Sequence, residues 1–183
     1  MHDPDGRLVE KAKKGDKAAF GVLADRYYEM VYAVAFGVLG NREDSLDTTQ
    51  DVLIKTFHEL PQFKGESKFK TWLYRITVNA AIDQVRKRRP AEPVDEGFVL
   101  ASFEPGPRDR AILEEKRALV EHALSELSPE HRAVMILREW NDMSYEEMAE
   151  ALQIEVGTVM SRLFYARKKL AEVLGSSLKE KKK

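Results

Sequence analysis

Between Phe69 and Arg89 the chain reads FKTWLYRITVNAAIDQVRKRR. At 100° per residue, Trp72, Arg75, Asn79 and Arg86 fall in one narrow stripe of a helix, beside the apolar Phe69, Leu73, Ile76 and Ala80. An indole, an amide and guanidinium groups along the margin of a core share one chemistry. Aromatic faces stack unpaired bases, the amide hydrogen-bonds, and cations clamp phosphates. Lys64, Lys68, Lys70, Lys87, Arg88 and Arg89 crowd the same stretch, and Ser67 lies in the loop before it. Two plainer accounts stay open on the pattern alone. Trp72 at helical spacing from Phe69 and Ile76 also fits a buried core residue, and cations at the end of a helix are favoured by its dipole without any ligand.

A second constellation lies near the C-terminus. Thr158, Ser161, Tyr165 and Lys168 point away from an apolar seam of Val159, Leu163, Ala166 and Leu170, with Arg162 and Phe164 on the flanks. Hydroxyls, an aromatic ring and cations on one helix face suit the base edges and phosphates of a major groove. The segment SYEEMAEALQI and the glycine-containing turn QIEVG precede this helix, which makes a helix-turn-helix pattern. A helical hairpin with a solvated outer face gives the same pattern.

Catalysis finds no support. His2, His58, His122 and His131 have no metal-ligand spacing, and neither HExxH nor GxxxxGK[ST] occurs, so no enzyme, metal or cofactor is expected. The absence of cysteine removes disulfides and thiolate chemistry. Lys and Arg number 30 against 31 Asp and Glu, so any attraction to nucleic acid must come from local segregation of charge, as in VRKRR, AEPVDEG and KEKKK. The longest uncharged apolar run, MVYAVAFGVLG, is too short to span a bilayer, and the N-terminus has no signal-peptide core. A soluble cytoplasmic protein is expected.

The elements that must position these residues are helices. Apolar residues recur at intervals of three and four over most of the 183 residues, and strand signals are scarce, so the fold class is all-α. A first helix is expected over about 16–39, carrying Phe20, Leu23, Tyr27, Val31, Val34 and Val38 on one face and stopped by Gly40. A second, entered through NRED, has Leu46, Gln50, Leu53, Phe57 and Leu60 in register, and Pro61 ends it. The stripe helix follows a polar loop and stops before Pro90. PAEPVDEGFVLASFEPGP then reads as a flexible acidic linker. Two small helical domains result, 1–90 and 111–176, joined by a linker at 91–110 and followed by a basic tail at 177–183. In the second domain Ser128 and Pro129 start one helix, and Ser144 with Glu147 forms the capping box of another.

The segments DSLDTTQDVLIKTFHELPQFKGESKFKTWLYRITVNAAIDQVRKRR and LSPEHRAVMILREWNDMSYEEMAEALQIEVGTVMSRLFYARKKL closely resemble the extracytoplasmic-function (ECF, group IV) sigma factors of bacterial RNA polymerase. The resemblance covers both domains in order. It implies a domain 2-like bundle, a domain 4-like helix-turn-helix, and a subunit that confers promoter specificity on core polymerase for a stress or signal regulon. Asp47, Gln50, Asp51, Lys55 and Phe57 would dock on the clamp helices of the largest subunit. Lys64, Ser67, Lys68, Phe69, Lys70, Trp72, Arg75, Asn79, Arg86, Lys87 and Arg88 would hold the melted non-template strand of the −10 element, with one base flipped out. Thr158, Met160, Ser161, Arg162, Phe164, Tyr165, Arg167 and Lys168 would read the duplex −35 element, with the outer helices of that domain on the flap tip. An anti-sigma factor is a further implied partner, and no membrane insertion is implied. Housekeeping relatives carry two adjacent tryptophans where this chain has Trp72-Leu73, which implies weaker and more sequence-dependent melting. The alternatives are a stand-alone helix-turn-helix regulator that binds duplex operators unaided, and a helical adaptor that binds only proteins.

Overall fold

The structure is a computed structural model that describes residues 4–87 and 118–180, with side chains to residue 176. Arg88, Arg89, the linker at 91–110, the first residues of the second domain and the end of the basic tail lie outside the described residues. The described residues are helical without strands. In chain order the helices are α1 Gly6–Lys13, α2 Lys17–Leu39, α3 Arg42–Glu59, a 3-10 turn Leu60–Gln62, α4 Phe69–Lys87, α5 at 118–125, α6 Pro129–Glu139, α7 Tyr145–Leu152 and α8 Val156–Glu180.

Their ends follow from capping. The Asp16 carboxylate accepts from the Ala19 N–H at 3.0 Å to start α2, and Gly40 stops it in the left-handed region at φ 69°. Asn41 caps α3 through the Asp44 N–H, with Glu43 and Asp44 in the positive first turn. Pro61 has no N–H to continue the ladder, so the last turn tightens into the 3-10 segment. The Ser144–Glu147 capping box at the head of α7 is complete. The tight turn before α8 differs from expectation. Gly157 is inside the helix, and the left-handed residue is Gln153 at φ 54°.

Helix α1 was not anticipated. It is held by Asp5, whose buried carboxylate accepts from the Arg26 guanidinium and the Tyr27 hydroxyl, and by Val9 and Ala12 buried against the bundle. In α3 the buried face is Ser45, Thr48, Thr49, Val52 and Thr56, rotated from the Leu46–Gln50–Leu53–Phe57 register, in which Gln50 is exposed and the others half-buried. The helix itself satisfies two of the buried hydroxyls, Ser45 Oγ donating to the Asn41 carbonyl and Thr49 Oγ1 to the Ser45 carbonyl at 2.6 Å, whereas Thr56 Oγ1 is buried without a hydrogen-bond partner.

Two apolar clusters form the core. One joins α1, the first half of α2, α3 and the start of α4 around Leu23, Val31, Val52, Leu60, Phe69 and Leu73. The other runs from Val34 and Val38 of α2 and Tyr74, Val78 and Ala81 of α4 into Val134, Ile136 and Leu137 of α6, Met148 of α7 and Leu163 of α8. The first and second halves of the chain therefore share a continuous core. The second half of α2 is apolar nearly all round because it is covered on opposite sides, by its own bundle and by α6.

Candidate nucleic-acid interface

The turn after α3 and the head of α4 form a nest of rings. Phe63 lies 4.9 Å from Trp72 between centroids, Phe69 lies 5.9 Å from Trp72, and Tyr27 lies 5.6 Å from Phe69. Trp72 is 7% exposed and Phe69 3%. Of the two accounts of Trp72 the structure favours the buried core residue over the open stacking face, and Phe69 is buried beside it. Rings this close bury more apolar area against each other than any one would by projecting into solvent.

The rim of the nest is what reaches the surface. Gln62, Phe63, Lys64, Glu66, Ser67, Thr71, Trp72 and Arg75 line a cavity of about 370 Å³, whose opposite wall is Glu150 and Gln153 of α7. That volume falls in the range of small-ligand pockets. Gln62, Glu66 and Thr71 belong to it without having been singled out from the sequence. They are generic polar residues until Leu60–Gln62 turns them toward Trp72.

Of the other expected strand contacts, Lys64, Lys68, Lys70, Asn79, Arg86 and Lys87 are exposed, and Ser67 and Arg75 are half-buried. Arg75 joins Trp72 at the cavity. Asn79 and Arg86 sit farther along α4, about 10 and 21 Å from Trp72 at 1.5 Å per residue. Two of these cations are engaged by the second half of the chain. Lys68 Nζ lies 3.9 Å from Glu147, and Arg86 donates to Glu130 at 2.8 Å. Lys70 Nζ stands 5.6 Å above the Tyr74 ring. The Glu147 carboxyl is held below the usual carboxylate range, chiefly by the Ser144 backbone N–H, against an opposing effect of burial and with help from Lys68 and Lys70. For Glu130, burial favours the neutral acid, but hydrogen bonds from its own backbone, Arg86 and Ser128 together win and lower it. Burial, with the nearby Glu147 charge, pushes the Tyr74 hydroxyl up to about 12, so it stays protonated and donates to Asn141 Oδ1 at 3.0 Å.

A second surface is the outer face of α8. Val159, Leu163 and Ala166 are buried as the seam requires. Opposite them Met160, Phe164 at 64% and Tyr165 are large and exposed, with the two rings edge to face at 5.5 Å. Ser161, Arg167 and Lys168 are exposed, and Thr158 and Arg162 are half-buried. Ser161 Oγ donates to the Thr158 carbonyl, and Arg167 is bound to Glu139 at 2.8 Å, which raises the guanidinium further above its ordinary value.

A third surface is the outer face of α3. Asp47, Gln50, Asp51 and Lys55 are exposed, whereas Phe57 is half-buried and packs 4.9 Å from Phe20. Ile54, 57% exposed, lies among them and was not anticipated. The available signal was an aliphatic side chain on an otherwise polar face.

Among the described residues, no helix is long and apolar enough to cross a membrane. The Sigma-70 region 2 family pattern matches residues 23–91, and the Sigma-70, region 4 pattern matches residues 117–170. The RNA polymerase sigma-H factor of Pseudomonas aeruginosa is 33% identical over 97% of this chain and 97% of its own length. The ECF RNA polymerase sigma-E factor of Escherichia coli is 36% identical over 89% of this chain and 90% of its own. The solved structure of CnrH in complex with the cytosolic domain of CnrY superposes with a TM-score of 0.71 at 30% identity, covering 94% of this chain and 97% of that one.

Proposed function

The chain belongs to the extracytoplasmic-function sigma factors of RNA polymerase, and we propose how its helices divide the work of such a subunit. The cavity at the head of α4 takes an extruded base of the −10 non-template strand. Its lining supports this: an indole edge, a serine, a threonine and a glutamine for the base, with Lys64 and Arg75 for the phosphates. Lys68, Lys70, Asn79, Arg86 and Lys87 extend the track along α4. Phe69 and Trp72 shape the cavity from within the core, so their part is to fix its walls.

Helix α8 reads the −35 duplex, with Ser161, Phe164 and Tyr165 toward bases and Arg162, Arg167 and Lys168 toward phosphates. The outer face of α3, now including Ile54, docks on the polymerase clamp helices. The protein supplies recognition and strand capture, and the polymerase supplies the chemistry, so it is read as a non-enzymatic cytoplasmic subunit. A protein partner of the anti-sigma type is part of this reading. CnrH, 30% identical, is solved bound to a cytosolic domain of another protein.

The observation that carries the assignment is a cavity of about 370 Å³ whose first wall, from Gln62 to Arg75, adjoins the lysines and arginines of α4 within residues 23–91, the span matched by sigma region 2. A gel-shift comparison tests it. Promoter DNA is expected to form a stable complex only when this protein and core polymerase are both present. Tight binding of duplex promoter by the protein alone would instead favour the stand-alone regulator.

A further inference from the structure

The chain has six methionines and no cysteine, so thioethers are the sulfur groups it offers to an oxidant. Those within the described residues differ sharply in access. Met135, Met143 and Met148 are buried in the shared core, and Met30 is half-buried against it. Met160 is 53% exposed and stands on the outer face of α8. A peroxide reaches a thioether where the sulfur meets solvent, so Met160 is set apart by its place in the fold.

Its neighbours give that difference a consequence. Phe164 lies one turn on, about 40° round the axis at 100° per residue, and meets the Tyr165 ring edge to face at 5.5 Å. A flexible thioether beside two rings is an adaptable apolar surface, suited to the thymine methyl groups of a major groove. The donors that flank Met160 already have partners within the chain. Ser161 Oγ donates to the Thr158 carbonyl at 3.0 Å, and Arg167 Nη2 donates to Glu139 at 2.8 Å. An oxygen added to the sulfur therefore brings its dipole into a closed apolar contact with no ready donor on the helix.

We propose that Met160 is an oxidation site through which a hydroperoxide reversibly switches off reading of the −35 duplex by α8. The inference rests on the assignment of α8 to that duplex. The Sδ lone pair attacks one peroxide oxygen, and the S–O bond forms as the O–O bond breaks. Sulfur is oxidised by two electrons and the peroxide is reduced. With hydrogen peroxide, the hydroxide that leaves takes the proton of the transferred oxygen and departs as water. The product is methionine sulfoxide, which sulfoxide reductases return to the thioether. Helix α4 contains no methionine, so the −10 surface is untouched by the same chemistry.

The test uses the full chain. The free protein is treated with hydrogen peroxide, quenched with catalase and then mixed with untreated core polymerase. Cleavage after Glu146, Glu147 and Glu155 leaves Met143, Met148 and Met160 in separate peptides, so mass spectrometry reads each thioether by itself. Occupancy is measured on a promoter selected by in vitro transcription, and on a copy with the −35 element replaced and the −10 region already unpaired. Every preparation is compared with itself before oxidation.

Met160 should gain one oxygen while Met135, Met143 and Met148 stay reduced. Occupancy of the intact promoter should then fall by about ten-fold, the order of effect of an unpaired polar oxygen in a closed contact, and the unpaired copy should be bound as before. Sulfoxide reductases for both epimers should restore occupancy. Met160→Leu, which keeps an apolar side chain of similar volume, should show no fall on oxidation. Preferential oxidation of a buried methionine overturns the proposal. So does full conversion of Met160 without loss of occupancy, an equal loss on both templates, or an equal loss in Met160→Leu. If Phe164→Ala weakens occupancy of the intact promoter and oxidation does not, the −35 assignment stands and the switch falls; if neither weakens it, both fall.

Discussion

Replacing Trp72 with alanine separates a core role from an open stacking role. The indole is 7% exposed and sits 4.9 Å from Phe63 and 5.9 Å from Phe69, with Leu73 and Ile76 in the same cluster. Truncating a tryptophan so placed loses its transfer energy and leaves a void between two rings, a cost of about 3–5 kcal/mol. Against a total stability of about 5–15 kcal/mol that is a large share. At about 2–4 °C per kcal/mol for a chain of this size, the midpoint should fall by roughly 6–20 °C. Thermal unfolding followed by circular dichroism, with urea titration to check that the m-value is unchanged, measures it. Trp72→Phe keeps a ring between Phe63 and Phe69 and should recover part of the loss. A Trp72→Ala midpoint within roughly 2 °C of the parent, under 1 kcal/mol, would refute the placement of the indole in the core. The result also decides how transcription defects at this position are read, because a variant that unfolds cannot report on strand capture.

Exchanging Ser161 and Phe164 for other residues should alter −35 preference and leave −10 preference unchanged, as read by selection of promoters from a randomised library; a change at −10 would contradict the division between α8 and α4. Asp51→Ala and Ile54→Lys, both at exposed positions of α3, should weaken capture of core polymerase in a pull-down while shifting stability by no more than about 0.5 kcal/mol. The Glu147 carboxyl, lowered by the Ser144 N–H, Lys68 and Lys70, contributes stability that is present above the ordinary glutamate range and is lost as pH falls through its depressed value. Lys68→Ala should raise that titration midpoint, and an unchanged midpoint by NMR would show that the ion pair does not form in solution.

Much of the fold was legible because helix ends are written locally. Asp16, Asn41, Ser128 and Ser144 each accept a hydrogen bond from a backbone N–H of the first turn, and Gly40 stops α2. The α8 seam was legible for the same reason, since one period decides which residues face inward. The buried face of α3 was not, because Ser45, Thr48, Thr49 and Thr56 look polar, and only the fold shows the Ser45 and Thr49 hydroxyls satisfied by carbonyls one turn back. Gln153 took the left-handed turn position without the glycine that usually signals it. Trp72 lay on the boundary of the apolar stripe, and the deciding neighbour, Phe63, comes from a turn that periodicity cannot orient. The packing of α6 and α7 on α2 and α4 joins residues far apart in the chain, separated by 44 positions for Arg86 and Glu130, 67 for Tyr74 and Asn141 and 94 for Arg132 and Val38. Its one local trace was the run VYAVAFGVL, too apolar for a helix with a solvated side.

The strand-capture account is tested most directly by permanganate footprinting. A promoter chosen by in vitro transcription from a genomic library is incubated with core polymerase and either the parent protein or the Arg75→Ala, Asn79→Ala double variant. Both positions have exposed or half-buried side chains, so the variant should remain folded and bind core polymerase normally. The parent should render the −10 thymines reactive, and the double variant should leave them protected. Normal thymine reactivity with the double variant would contradict the account.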